Sequence, residues 1–150
     1  MSISETFMGE ALKLAREAGA LDEVPVGAVV VLNGEVIGRG FNRPISSSDP
    51  TAHAEVGALR DAAIRVGNYR LPEADLYVTI EPCTMCAGAL VHARIRRLIF
   101  GATEPRAGAV VSSARVLENP GLNHRVEVVQ GVLAEDCAEL ISDYFKAKRR

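Results

Sequence analysis

VPVGAVVVLNGEVIGRGF, Val24 to Phe41, decides the fold class. Val24–Leu32 is a β-rich run, Asn33-Gly34 is the strongest short hairpin signal, and Glu35–Phe41 returns beside it. On either side of this hairpin the apolar period changes. Ser4–Ala18 upstream spaces Phe7, Met8, Ala11, Leu12, Ala15 and Ala18 as a helix does, with Ser4 to cap it and Gly19 to end it. Downstream, Asn42–Pro50 reads as a loop, and a second helix, capped by Asp49 or Thr51, runs to about Val66. Asp75–Ile80 is a third strand, broken by Glu81-Pro82, and Cys83 to about Ala93 is a third helix. Arg97–Gly101 and Val126–Gln130 complete the strands, and Ala134 to about Lys148 is a closing helix with Cys137, Leu140, Ile141, Tyr144 and Phe145 on its apolar side. Glu104–Asn123 shows no clear period beyond a short helix expected at Val110–Leu117. The order predicts an α/β fold: a mixed five-stranded sheet in a three-layer α/β/α sandwich, one domain over residues 1–150.

Bulk composition excludes several classes. Of the 150 residues, 48% are hydrophobic and 24% charged, which suits a globular domain and not a disordered chain. No apolar run is long enough to span a membrane, and the first residues lack a secretory pattern. Three cysteines are too few, and odd in number, for a disulfide framework, so a reducing compartment, the cytoplasm, is expected. The net charge of −2 does not announce a nucleic-acid partner. Arg94, Arg96 and Arg97 do cluster, and the chain ends with Lys146, Lys148, Arg149 and Arg150. Such groups make a patch an anion would feel, or a solvated helix end.

The chemistry is carried by two short motifs. His53 and Glu55, in TAHAEVG, fall in the first turn of the second helix. Cys83 and Cys86, in PCTMC, are three apart and share a face at the start of the third. Two helix starts, each favouring thiolate or imidazole ligands, can thus aim three zinc-type donors at one point. Three protein ligands are the number for a catalytic zinc, with one position open. A lone Cys-x-x-Cys also suits a redox pair or half of a structural zinc site. The first has no need of an upstream His-x-Glu, and the second usually needs a fourth ligand, which core-facing Cys137 does not convincingly supply. His92 and His124 have no ligand partners at useful spacing and read as structural or surface residues. His-x-Glu followed by Pro-Cys-x-x-Cys matches a known signature of zinc-dependent nucleobase deaminases, which spacing alone does not imply. The chemistry accounts for the pattern: zinc lowers the pKa of water from about 15.7 to about 7, roughly 12 kcal/mol of proton affinity at about 1.36 kcal/mol per unit. A carboxylate near that water but off the metal can carry the proton onward.

Beyond the motif, the chain resembles the bacterial tRNA-specific adenosine deaminases of the cytidine/deoxycytidylate deaminase superfamily. The matching stretches are EVPVGAVVV (Glu23–Val31), FNRPISSSDPTAHAE (Phe41–Glu55), LYVTIEPCTMCAGAL (Leu76–Leu90), NHRVEV (Asn123–Val128) and GVLAEDCAELISDYFKAKRR (Gly131–Arg150). The resemblance implies a cytidine-deaminase-like fold and hydrolytic deamination of adenosine to inosine at the wobble position of an arginine tRNA with an ACG anticodon. It implies one Zn2+ per subunit held by His53, Cys83 and Cys86, with a zinc-activated hydroxide and Glu55 as proton shuttle. It implies that Asn42 hydrogen-bonds the base, that Val26 and the backbone around Ala54 and Glu81 line its pocket, and that Phe145 and the cationic tail approach the flanking anticodon nucleotides. It further implies RNA contacts in the segment holding Glu104 and Arg106, and a homodimer, for which Ala87-Gly88-Ala89 would permit close helix packing. Two departures fall in that RNA-proximal segment. Glu104-Pro105-Arg106 stands where relatives often have Asp-Pro-Lys, and Val110-Val111 where they have small residues. The alternatives are a deaminase of a free base or nucleoside of guanine or cytosine type, and a zinc module that only binds RNA.

Overall fold

In the computed structural model, which describes residues 1–149, Asn33 and Gly34 both take positive φ, 52° and 76°, as the tight turn between right-twisted strands requires. They join β1 (Gly27–Leu32) to β2 (Glu35–Phe41) as an antiparallel pair. The sheet order is β2-β1-β3-β4-β5, with β3 Asp75–Ile80, β4 Arg97–Ala102 and β5 Glu127–Gln130. β1 is antiparallel to β3, whereas β3, β4 and β5 run parallel, so the sheet is mixed. Helices α1 (Ile3–Ala20) and α5 (Ala134–Lys148) cover one face, and α3 (Ala54–Val66) and α4 (Thr84–His92) the other. Because β3 is covered on both sides, all six of its residues are buried. Cys137 is buried on α5 against Gly101, as its spacing predicted.

The differences from expectation lie at element ends. α1 starts from Ser2, where Ser2 and Glu5 form a reciprocal capping box, and it continues past Gly19 to Ala20. β1 starts at Gly27, not Val24, because Pro25 has no N–H to give and Val26 N turns back to Val24 O at 2.8 Å. Asp49 does not cap α3. Its Oδ1 accepts from Thr51 N at 2.8 Å and Thr51 Oγ1 at 2.7 Å, closing a turn of its own, and His53 becomes the N-cap. A short helix, α2 (Pro44–Ser47), stands inside the expected loop. The expected helix at Val110–Leu117 is absent. Only a 3₁₀ turn at Val116–Glu118 forms, because the N–H groups of Val110, Val111 and Ser112 are all drawn to Glu81 Oε2.

Two of the three clustered arginines are committed to the fold. Arg96 grips buried Asp75 with two hydrogen bonds of 3.0 and 2.8 Å, and Arg97 adds a third at 3.0 Å. In the tail, Lys148 pairs with Asp22 at 2.6 Å, and Tyr144 donates to Asp22 O at 3.1 Å. Arg150 lies outside the described residues. No helix among them is long and apolar enough to cross a membrane.

Candidate active site

Four chain segments meet beyond the carboxyl end of β3: the start of α3, the start of α4, the chain leaving β2, and the loop after β4. Close packing brings α3 into place. A Cβ on Gly40 of β2 would collide with Ala54 O, so only glycine lets the first turn of α3 lie directly on the sheet. His53 and Cys83 are the N-caps of α3 and α4, where the positive end of each helix favours electron-rich ligands.

His53 Nδ1 lies 3.6 Å from Cys83 Sγ and 3.5 Å from Cys86 Sγ. The three donor atoms all fall within 4.8 Å of one another. Zinc–sulfur and zinc–nitrogen bonds of about 2.3 and 2.0–2.1 Å at a tetrahedral angle require an N···S edge of roughly 3.6 Å. The donor set and its spacing therefore fit one zinc ion. Protonation agrees with that use. Hydrogen bonds from Cys86 and then His53 pull the Cys83 thiol down to about 3. Cys86 is pushed up by its bond to Cys83 and by burial, so one proton remains between the sulfurs for a cation to displace. The hydrogen bond to Cys83 in turn raises His53.

Glu55 sits one residue beyond His53's neighbour, on the first turn of α3, and is 4% exposed. It is not a member of the three-ligand group. Burial lifts its carboxyl to about 7, where it can accept or release a proton near neutral pH.

Glu55, His53 and Cys83 open onto a cavity of about 380 Å³, near the low end of the range for small-molecule sites. Val24, Val26, Ile80 and Ile141 make its apolar walls, and Thr103, Glu104, Pro105 and Phe145 its rim. Asn42 also lines it. The Asn42 Oδ1 accepts from Ala54 N at 2.8 Å, which fixes the amide and leaves its NH2 end free of that bond. Ala54 is fully buried with its N–H spent on Asn42, and neither it nor exposed Arg106 lines the cavity. Phe145 is 43% exposed at the mouth. The carboxylate of Glu104 turns back to Ala107 N.

Two buried carboxylates escaped sequence reasoning. Glu81 accepts from the N–H groups of Glu104, Val110, Val111 and Ser112 at 2.8–3.0 Å, and from Ser112 Oγ at 2.5 Å. Burial would raise its pKa, but these donors outweigh it and hold the carboxyl below its ordinary value. Gly108 is required beside it, since a Cβ there would strike Glu81 and Glu104 O. Glu23 does the same for α2, accepting from Ile45 N at 3.2 Å and Ser46 N at 2.6 Å, and is likewise lowered despite burial. Glu81 thereby pins the segment that brings Glu104, Pro105 and Ala107 to the cavity, and Glu23 pins the helix that follows Asn42. The Val110 and Val111 departures keep the N–H donors that Glu81 needs. For Glu81 the available signal was a charged residue immediately after the strand Asp75–Ile80.

Residues 1–102 match the model of the cytidine and deoxycytidylate deaminase zinc-binding region. The tRNA-specific adenosine deaminase of Haemophilus influenzae is 51% identical over 146 residues, 97% of this chain and 84% of that one. A solved structure from work on A-to-I editing by tRNA:A34 deaminases at the wobble position of transfer RNA superposes with a TM-score of 0.88 at 51% identity, over 90% of this chain and 98% of that one. The guanine deaminase of Nitrosomonas europaea superposes at 0.81 with 27% identity, over 93% of this chain and 83% of that one.

Proposed function

The chain belongs to the cytidine and deoxycytidylate deaminase zinc-binding family, and from that premise we propose that it deaminates adenosine to inosine at the wobble position of a tRNA with an ACG anticodon. The observation that carries the reading is Glu55: a buried carboxylate beside a three-ligand zinc group, yet outside it, on the wall of a cavity sized for one base. A structural zinc site has no use for such a group.

His53, Cys83 and Cys86 would hold the metal. When bound, zinc supplies a Lewis acid that makes a nucleophile of water at neutral pH. The other steps belong to the protein. Val26, Ile80 and Ile141 enclose the base in an apolar slot that excludes bulk water. Asn42, its carbonyl held by Ala54 N–H, presents its NH2 to a ring acceptor of the base. Glu55 takes the proton from the attacking water and gives it to N1. As the C6–N bond breaks, a proton passes through the same carboxylate to the departing ammonia, leaving C6=O. Phe145 at the mouth offers a face on which a flanking anticodon base can stack, and single-stranded loops are read in this way. Glu104 at the rim and Arg106 outside it border the path of the RNA.

We also read the 1–150 chain as one catalytic domain that works as a homodimer in the cytoplasm. Supporting the dimer, Ile64, Val66, Tyr69 and Met85 are exposed around α3 and α4, and the Gly88 Cβ position faces open space. Its mass in solution, read by light scattering, tests this.

The direct experiment incubates the zinc-loaded protein and Glu55→Ala with an anticodon stem-loop carrying ACG, then seeks inosine by mass in the digest. Inosine from the unaltered protein alone is expected. No inosine, together with ammonia release from guanine or cytosine, would transfer the assignment to a free-base deaminase.

A further inference from the structure

A second cavity, of about 500 Å³, opens at the far end of the sheet from the active site. The active site lies beyond the last residue of β3, and this cavity lies where β3, β4 and β5 begin. Six strand residues at about 3.3 Å each put roughly 20 Å between them. Among its lining residues are Arg70, Arg94, Arg96, His124, Arg125 and a single acid, Glu73.

The arginines are not equivalent. Arg96 is neutralised by its double hydrogen bond to buried Asp75. Among the described residues, Arg70, Arg94 and Arg125 have no carboxylate within ion-pair distance. Two of these three are nonetheless held in place. Arg94 Nη1 donates to Val91 O at 2.7 Å, and Arg125 Nη1 to Asn119 O at 2.8 Å. Each fork is thus anchored at one end and keeps further N–H groups to offer. His124 is fixed beside them by Nε2 on Ile95 O at 2.7 Å. Arg94 also sits just past α4 at φ 62°, in the left-handed region that glycine occupies without strain.

We propose that this pocket binds phosphodiester groups of the substrate tRNA outside the anticodon loop, an inference that rests on the tRNA reading above. Guanidinium forks match phosphate oxygens in shape and charge. In a chain with net charge −2, a local cluster of unpaired cations is what lets a polyanion approach this end of the sheet. Such contacts orient the RNA and carry no sequence information, so they complement a base-reading site roughly 20 Å away.

The test measures full-length tRNA binding to the zinc-loaded protein across a salt series, for the unaltered chain, Arg70→Gln, Arg125→Gln and the double variant. Inosine formation at saturating tRNA is followed in the same preparations. Among the described residues Arg70 makes no side-chain hydrogen bond, only a stacking contact with Tyr69, so Arg70→Gln keeps the test valid if Arg125→Gln proves unstable. Each single substitution is expected to weaken binding about three- to tenfold near 0.1 M salt and to make the slope of log K against log salt shallower by about one. Inosine formation at saturation stays unchanged. Wild-type affinity and slope in every variant would overturn the proposal. So would substitutions that abolish binding of inorganic phosphate but leave tRNA affinity untouched, since the pocket would then serve a small anion. Unaltered protein that binds tRNA but forms no inosine would overturn the deaminase reading instead, and is told apart by that readout.

Discussion

A carboxylate beside a zinc group serves either as a ligand or as a proton carrier, and the two uses respond differently to Glu→Gln. Glu55 stands outside the ligand group and is buried. Glu55→Gln keeps the shape and removes the exchangeable proton, so kcat is expected to fall by about 10²–10⁴ while zinc content, measured by atomic absorption, stays at one per chain. Loss of zinc in this variant would make Glu55 a ligand and sink the shuttle role. Asn42 has two functions that separate in the same manner. Its Oδ1 caps Ala54 N–H, and its NH2 is assigned to the base. Asn42→Asp retains the acceptor and loses the donor, so the thermal midpoint should hold while kcat/KM falls. Asn42→Ala loses both, and its stability should drop by about 1 kcal/mol, as when a helix cap is removed. If the aspartate variant were fully active, the base would be held by something else.

At the scale of elements, α2 and the loop after β4 depend on buried acids, and acid pH should expose this. Glu23 and Glu81 both have carboxyls held below the ordinary value of 4.5. A depressed folded-state pKa contributes stability that is fully present above the unfolded value and is lost as pH falls through the folded one. The share of the thermal midpoint that these two acids supply should therefore be constant above about pH 5 and be lost below 4.5. In Glu81→Gln, which places an amide NH2 among N–H donors, the protein should start about 1–3 kcal/mol less stable and lose less on acidification. An equal acid slope in both proteins would mean that Glu81 is not the titrating group. The same residues mark where sequence reading stops. The hairpin, the three-layer order, the grouping of His53, Cys83 and Cys86 and the core position of Cys137 were legible because each rests on a local signal: a turn dipeptide, a period, or a ligand spacing. Glu23 and Glu81 were not legible, because their partners lie 22 to 31 residues away in sequence. The segment after β4 was misread for the same reason: its N–H groups answer to Glu81 and not to a helix. The start of α3 was misplaced because Asp49 could satisfy a turn as readily as a helix.

For the whole molecule, the group that would hold zinc sits on a completed fold and is not its core. The ligands crown the ends of α3, α4 and β3, while the buried cluster runs through both faces of the sheet without them. The chain differs in this from small zinc domains that unfold when the metal is removed. Chelation should leave the far-ultraviolet circular dichroism of a folded α/β protein and lower the thermal midpoint, because metal bound only by the folded state stabilises it by mass action. Re-addition of zinc has a second signature. Cys83 is already a thiolate at neutral pH, its pKa drawn to about 3, whereas Cys86 is raised and keeps its proton. Both sulfurs must be thiolate when bound, and His53, itself raised, must be neutral. Titrating zinc into the apoprotein at pH 7.5 in weak buffer with an indicator dye should release at least one proton per ion, and zinc affinity should weaken as pH falls. Binding without proton release would show that Cys86 is not a ligand, and the site would then hold its metal through fewer residues than the geometry brings together.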